Sequence, residues 1–403
     1  MLSRVADSIY WMNRYIERAE NVARFVEVNL NLLMDNPVGT QQQWEPLIAV
    51  TGDRTLFQTL YAAPSANNVL NFLTFDQRSP NSIQSCLRSA RENARSVRET
   101  ISSEMWQQIN GFYLMVEEAA KAKPDDVKDL DIQIIYKFYK DVVVASHRFV
   151  GVMNATALWD ESWHFGRLGR LLERADKTSR ILDVKYFLLL PAVTEVGSPL
   201  DSLQWISLLK SASAYEMYRK VEHTISPSSV ARFLILNSQF PRSIKFCLRH
   251  AEESLHKISG PSMEAHSHAL SSERALGRLR AEIEYATFDE IFQQGLHEFL
   301  DSFQQRLNAV GDCVYRDFIA VPNETVSNLT EIDTTEVDST KTDTAEINPK
   351  KADSKKIDPK KVDPKKVGSI KQSKQTEPPL SAEQVSAHTS ESMQKQTVAM
   401  SEA

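Results

Sequence analysis

Residues 14–20 read Arg14-Tyr15-Ile16-Glu17-Arg18-Ala19-Glu20, and residues 170–176 read Arg170-Leu171-Leu172-Glu173-Arg174-Ala175-Asp176. The second block stands 156 positions after the first, and at that offset Arg24 also meets Arg180, Val28 meets Val184 and Glu27 meets Asp183. Each block lies inside a long amphipathic segment. Around the first, Val5, Ile9, Met12, Ile16, Ala19, Ala23, Val26, Leu30 and Leu33 alternate steps of four and three. Around the second, Phe165, Leu168, Leu172, Ala175, Ser179, Leu182, Tyr186 and Leu189 do the same. This is the spacing of a helix packed in a bundle. It predicts one helix over about residues 2–34, stopped by Asp35-Asn36-Pro37 and Gly39, and another ending at Pro191.

A second register supports a duplication. At an offset of 161, Val69, Phe72, Leu73, Pro80, Ser82, Ile83, Cys86, Leu87, Arg88, Ala90 and Glu92 meet Val230, Phe233, Leu234, Pro241, Ser243, Ile244, Cys247, Leu248, Arg249, Ala251 and Glu253. The change from 156 to 161 requires only a small loop insertion, which surface loops tolerate. Between these landmarks the pattern predicts short segments near residues 44–50, 55–61 and 67–75. A longer helix opens near Pro80-Asn81-Ser82, proline being suited to a first turn. Further helices are predicted over about 104–122, 132–154, 268–285 and 289–319, with Ser226-Pro227 as an N-cap and first-turn proline. The expected fold class is all-α: two tandem homologous helical-bundle units, 1–156 and 157–321, sharing a core.

Composition agrees. The chain has 403 residues, 42% apolar, with only 12 glycines; β-branched runs with turn dipeptides are missing. A net charge of −6 implies no basic face for nucleic acid. Cys86, Cys247 and Cys313 form neither a disulfide framework nor a zinc spacing. The N-terminus enters a charged helix at once, without a signal-peptide core. No apolar run approaches the roughly 20 residues that span a bilayer. A cytoplasmic location without membrane contact is expected, and Asn-x-Thr triplets at Asn154, Asn323 and Asn328 then carry no weight. After Val321 the chain turns to Thr, Asp, Lys, Glu, Ser and Pro, with near-repeats such as Lys355-Lys356-Ile357-Asp358-Pro359 and Lys360-Lys361-Val362-Asp363-Pro364. Such a segment has too little apolar surface to offset its ordering entropy, so 322–403 is expected to be a disordered tail.

The chemistry sits beside the seams. On a helical wheel Asn13, Glu17, Glu20, Arg24 and Glu27 tile one flank of the first apolar stripe, while Arg14 and Arg18 lie further round. Spacings of three and four allow Glu17 to meet Arg14, and Glu20 to meet Arg24. Partly buried, these groups require partners. Two readings stay open. One is a polar layer fixing the register of the two lead helices, for instance by cross-pairing Glu17 with Arg174 and Glu173 with Arg18. The other is an anion or peptide site lined by Arg14, Arg18, Arg170 and Arg174, with glutamates orienting the guanidinium forks. The candidate binding residues are Arg14, Glu17, Arg18, Glu20, Arg24, Arg170, Glu173, Arg174, Asp176 and Arg180. No residue is assigned a catalytic role; acid–base work by the glutamates would require a raised pKa.

Other patterns are weaker. Glu273-Arg274-Ala275 repeats the core motif without the preceding arginine or the following acid. Glu253-x-x-His256 resembles half of a di-iron carboxylate site, but its repeat counterpart, Glu92 with Arg95, cannot ligate metal. His147 and His297 read as hydrogen-bonded bundle residues, and His266 with His268 as loop residues. Neither a metal nor a cofactor is expected, since no phosphate loop, dinucleotide fingerprint or nucleophile elbow is present. Trp11, Trp106, Trp159, Trp163 and Trp205 read as helix-contact residues, an exposed subset of which would mark a partner face.

With Arg-x-x-Glu-Arg-Ala in both lead helices, the chain resembles the alpha-E domain family of bacteria over about residues 1–320. The opening stretch through Glu20 and the block Gly169 to Asp176 carry the likeness; the tail has no counterpart there. The resemblance implies association with circularly permuted ATP-grasp-type ligases and transglutaminase-like proteins, in peptide synthesis or modification. Of the family's motif it carries over only Glu17, Arg18, Glu173 and Arg174. The expected function is a non-catalytic helical partner binding the ligase or its peptide substrate. The alternatives are an enzyme of that system using the paired Glu/Arg clusters, or a structural homo-oligomer.

Overall fold

The computed structural model describes residues 1–35, 44–122, 132–188, 199–260 and 270–320. The expected stops at Pro37 and Pro191, the pair His266 and His268, and the 322–403 tail lie outside these residues. Among the described residues the chain is all-helical. Two long helices lie at its centre, α1 (Ser3–Asp35) and α8 (Glu161–Leu188), and they pack on each other. Around α1 stand α5 (Ile83–Ser96), α6 (Ser103–Ala122) and α7 (Ile132–Thr156). Around α8 stand α12 (Ile244–Ser259), α13 (Ser271–Tyr285) and α15 (Leu296–Val314). In each group the helices contact one another in the same order: lead helix to α5 or α12, then α6 or α13, then α7 or α15 back to the lead.

The shorter helices bind the groups together. α2 (Glu45–Thr51) packs against α8, and α9 (Pro199–Ser211) packs against α1. The remaining short helices are α3 (Arg54–Leu60), α4 (Ala66–Thr74), α10 (Tyr215–Val221), α11 (Pro227–Leu236) and α14 (Phe288–Gln294). Each half lends a helix to the other's lead, and Met1–Val321 forms one compact unit.

The seams are buried as their period requires. Val5, Ile9, Met12, Ile16, Ala19, Ala23, Val26 and Leu30 all lie in the core, as do Phe165, Leu168, Leu172, Ala175 and Leu182. Each Val, Ile, Leu, Met or Phe among them contributes about 1.5–3 kcal/mol by leaving water. The polar flank of α1 is buried too: Asn13, Glu17, Glu20 and Arg24 are as inaccessible as the seam. α1 is therefore covered on two sides, by its own group and by α8.

Three local findings differ from the sequence reading. The helix opening near Pro80 starts at Ile83, with Ser82 Oγ accepting from Ser85 N at 3.1 Å. Its counterpart starts at Ile244, capped by Ser243. Pro80 and Pro241 thus precede the caps, which leaves Asn81 and Arg242 outside the helices with side chains free to reach inward. Pro227, by contrast, does occupy a first turn behind the Ser226 cap. The helix predicted over 289–319 is broken at Gly295, φ +95°, and ends in a π turn at Tyr315–Ile319. An amide in that left-handed region is poorly tolerated by side-chain-bearing residues.

The residue after α2 is Gly52, φ +83°, and 161 positions later Ser213 has φ +50°. Each meets an arginine from the opposite lead helix: Arg180 Nη1 would lie 3.1 Å from a Cβ on Gly52, and Arg24 Nη1 donates to Ser213 Oγ. Gly52→Ala is therefore expected to cost about 1 kcal/mol or slightly more, through the positive φ and the crowded guanidinium. A shift in denaturant midpoint at unchanged slope checks it.

Candidate functional site

α1 and α8 approach closely because two glycines face α1. A Cβ on Gly169 would lie 2.5 Å from the Tyr10 carbonyl oxygen, and one on Gly166 would lie 2.6 Å from Asn13 Nδ2. At that separation the two Glu-Arg blocks meet. Arg174 donates to Glu17 through Nε at 2.9 Å and Nη2 at 2.8 Å. Arg18 donates to Glu173 through Nε at 2.6 Å and Nη2 at 2.9 Å. The two forks form a reciprocal cross-pair between the helices, each bidentate and geometrically selective. The alternative intrahelical pair does not form: Arg14 Nε goes across to Glu173 at 2.9 Å, and its Nη1 donates to Tyr10 Oη at 3.1 Å.

Further polar groups complete the layer. On the Glu17 side, Arg242 donates through Nη1 to Glu17 at 2.9 Å and to Asn21 at 3.1 Å, and through Nη2 to Glu20. Glu20 also accepts from Arg24, from Ser146 Oγ at 2.7 Å, and faces His147 Nε2 at 3.1 Å. On the Glu173 side, Asp176 accepts from Lys177 at 3.0 Å and from Arg180 Nε at 2.9 Å. Arg18 Nη1 donates to Asn81 Oδ1 at 2.7 Å, and Asn81 Nδ2 donates to Asp53 at 2.9 Å. All ten candidates named from sequence come together here. Sequence reading missed Arg242, Lys177, Asn81, Ser146 and the placement of His147. A signal existed for the first three. Arg242 matches Asn81 at offset 161, and Lys177 matches Asn21 at offset 156. A search for identities passes over both mismatches, although each exchanges an amide for a cation.

The electrostatics follow from burial and pairing. Burial alone would raise the Glu17 pKa, but Arg174 and Arg242 outweigh it and hold the carboxyl well below its ordinary range. Glu173 is treated the same way by burial against Arg18, Arg14 and Lys177, with the same net direction. Asp176 is lowered as Lys177 and Arg180 overcome its burial. Locked as carboxylates, these groups have no proton to donate near neutrality and little basicity. Three of the arginines, Arg24, Arg170 and Arg242, show the opposite strain. Burial, aided by Arg174, lowers Arg170 to about 10, and burial with Arg242 lowers Arg24 well below its ordinary value. A guanidinium remains charged at neutral pH nonetheless.

The layer reaches solvent at two clefts that share Trp11. One, of about 370 Å³, is lined by Tyr10, Trp11, Arg14, Asp176, Asp312 and Tyr315 among others. The other, of about 470 Å³, includes Trp11, Tyr15, Arg18, Asn81 and Arg88. Arg14 lies over the Trp11 ring at 4.9 Å, a cation–π contact. Elsewhere, Glu253 is engaged by His250 at 2.6 Å and Arg167 at 3.4 Å. Glu273 closes the first turn of α13, and Arg280 pairs with Glu252 at 2.8 Å, both away from the layer. His297 meets Asp183 at 2.6 Å. Cys86 and Cys247 are buried thiols, each pushed up to about 12 by burial. Trp205 is buried, whereas Trp159 is 66% exposed and stacks on Trp163 at 4.5 Å. Among the described residues no cluster of three or more His, Cys, Asp or Glu side chains could hold a metal, and no helix is long and apolar enough to cross a membrane.

Comparison with known proteins fits a Glu-Arg pair at the heart of a helical fold. An uncharacterised protein of Mycobacterium bovis and one of Mycobacterium tuberculosis are each 22% identical to this chain over 339 residues. Those matches cover 79% of this chain and 37% of each relative, so the chain spans little more than a third of the length of these curated relatives. No solved structure matches. A family model described as "a predicted alpha-helical domain with a conserved ER motif" matches residues 1–319. Glu17-Arg18 and Glu173-Arg174 are the Glu-Arg pairs that meet where α1 and α8 cross, and the chain belongs to the Alpha-E family.

Proposed function

We propose that this chain is a non-catalytic helical partner in an ATP-grasp-linked system of peptide synthesis or modification, binding the ligase or its peptide substrate. One observation carries the reading: the layer holds more cations than carboxylates. Around Glu17 and Glu20 stand Arg24, Arg170, Arg174 and Arg242; around Glu173 and Asp176 stand Arg14, Arg18, Lys177 and Arg180. The carboxylates are saturated and serve to orient guanidinium groups, which disfavours the enzyme alternative. The surplus positive charge favours an acidic or carboxylate-bearing partner. The clefts beside Trp11 add aromatic surface next to Arg14 and Arg18, the kind of lining that holds an extended peptide.

The ligase and the transglutaminase-like protein come from the family resemblance, and cytoplasmic location goes with them. The length of the curated relatives supports a region that works beside other protein. The matched contacts at offsets 156 and 161 support reading 1–156 and 157–321 as two tandem units. Mixed with an ATP-grasp-type ligase from the same genome, the purified chain is expected to co-elute at about 0.15 M salt. Separate elution at both low and moderate salt overturns the partner reading. Elution as a stable homo-oligomer, unchanged by ligase, favours the structural alternative.

A further inference from the structure

The cleft that holds Arg18 differs from its duplicate in the second half, and the difference follows from a few exchanges. It has a volume of about 470 Å³, within the range of small-ligand sites. Trp11 and Tyr15 form an aromatic wall, their ring centroids 5.5 Å apart, and Arg18 and Arg88 supply positive charge beside the Ser85 and Ser89 hydroxyls. None of the described residues that line it is acidic. Arg18 is already bidentate on Glu173 and gives Nη1 to Asn81. Arg88 is paired with no carboxylate among the described residues: Glu92, one helical turn on, is held by Arg91 at 3.0 Å and by Arg95 at 2.8 Å instead. Ser85 Oγ accepts from Ser82 Oγ at 2.9 Å, so its own hydrogen is left to donate.

The second half fills the same surface. At offset 161, Phe246 and His250 stand where the first half has Ser85 and Ser89, and their rings lie 4.1 Å apart. At offset 156, Arg167 and Leu171 stand where it has Trp11 and Tyr15. The arginine matching Arg88 is Arg249, and it is answered: Glu253 lies 4.0 Å from Arg249, 2.6 Å from His250 and 3.4 Å from Arg167. Glu253 is the counterpart of Glu92. It turns this way because Glu252 and His256 replace Arg91 and Arg95, the two arginines that draw Glu92 aside. The duplicated surface thus carries bulky rings and a carboxylate in the second half, but small hydroxyls and an unanswered guanidinium in the first.

Resting on the peptide-partner reading, we propose that this cleft is the seat of an acidic segment of the partner peptide, in which a carboxylate side chain lies next to an aromatic one. Arg88 takes the carboxylate through its planar fork, with the Ser85 and Ser89 hydroxyls beside it as further donors. The aromatic side chain lies against Trp11 and Tyr15 in the offset or edge-to-face contact that ring pairs favour. Arg18, anchored by Glu173, adds positive field and not a second fork, so one carboxylate matches the cleft in charge and geometry. Phosphate shares the Arg88 contact but has no use for the aromatic wall, and the test separates the two.

The probe is the tripeptide acetyl-Glu-Tyr-Glu-amide, titrated calorimetrically into the full chain at constant ionic strength. Its comparators are acetyl-Gln-Tyr-Gln-amide, acetyl-Glu-Ala-Glu-amide and inorganic phosphate. Saturable binding of the probe is expected, about tenfold or more tighter than any comparator. Arg88→Gln should weaken it by a similar factor, Arg88→Lys should recover part of the loss, and Arg249→Gln, at the matched position of the other half, should leave binding unchanged. The double substitution Ser85→Phe with Ser89→His, which copies the second half, should abolish binding. Because Arg88 has no ion pair to lose, Arg88→Gln should melt at the same temperature as the parent, which separates lost binding from lost fold. No saturable binding of the probe, unaltered binding in Arg88→Gln, a comparator bound as tightly as the probe, or a marked fall in the melting temperature of Arg88→Gln each overturns the proposal. If the probe binds through Arg88 while no ligase co-elutes, the ligase reading fails and the site stands. If the ligase co-elutes and the probe does not bind, the site fails and the partner reading stands.

Discussion

Glutamine at position 173 is expected to lower folding stability by roughly 3–5 kcal/mol, the usual consequence of removing one partner from a buried ionic cluster. Glu173 is fully buried and accepts from Arg14 and Arg18, with Lys177 at 3.7 Å. A neutral amide keeps the shape but leaves three cations facing one another and replaces an acceptor with a donor. Glu17→Gln should act similarly through Arg174 and Arg242. Denaturant unfolding at neutral pH measures the loss; a change below about 1 kcal/mol, the range of exposed ion pairs, would contradict this account. The pH profile supplies a second check. The folded Glu173 carboxyl is held well below its ordinary range, so its stabilisation is fully present above the unfolded value of about 4.3. It fades as pH falls below that value toward the folded one. The parent protein should therefore lose stability through this acid window, and the Gln variant should show a shallower decline.

Alanine at Gly169 is expected to destabilise by about 3 kcal/mol, at the upper end of overpacking penalties. The obstruction is backbone: the new Cβ would sit 2.5 Å from the Tyr10 carbonyl oxygen, and a carbonyl inside α1 cannot rotate away. α1 and α8 must separate, and the cross-paired forks stretch with them. Gly151, on α7, supplies the control. A Cβ there meets nothing within 4 Å, so Gly151→Ala should raise stability by about 0.4–1 kcal/mol through the reduced freedom of the unfolded chain. Unfolding midpoints of the two variants should move in opposite directions. If Gly169→Ala proves neutral, the close approach of α1 and α8 is not what sets the layer.

The helices, their seams and the candidate residues were legible because each depends on local spacing. The alternation of three and four at Ile16, Ala19 and Ala23 is read along a dozen residues, and burial of those positions follows from it. The N-terminal cap at Ser226 was legible for the same reason. Pro80 was misplaced because a proline can precede a cap as readily as follow it, and only the hydrogen bond to Ser82 distinguishes the two. The break at Gly295 escaped notice because a glycine inside an apolar period is compatible with a continuous helix until its φ is known.

Partners across the layer were legible only as a possibility. Glu20 with Arg24 and Asp176 with Arg180 obey the four-residue rule, since neighbours on one helix face lie about 5–6 Å apart. Arg14 obeys no such rule: on spacing alone it belongs to Glu17, yet it reaches across to Glu173, because Gly169 brings α8 within range. Arg242 joins from 225 residues away, from a turn whose position depended on where α12 begins. The sequence by itself determined the all-helical class, the two lead helices and the ten charged candidates they carry, because periodicity and duplication are properties of the chain. Only the tertiary structure decided which carboxylates are saturated and by which arginines. That outcome depends on distances between groups remote in sequence, and a buried carboxylate accepts only as many donors as can physically surround it.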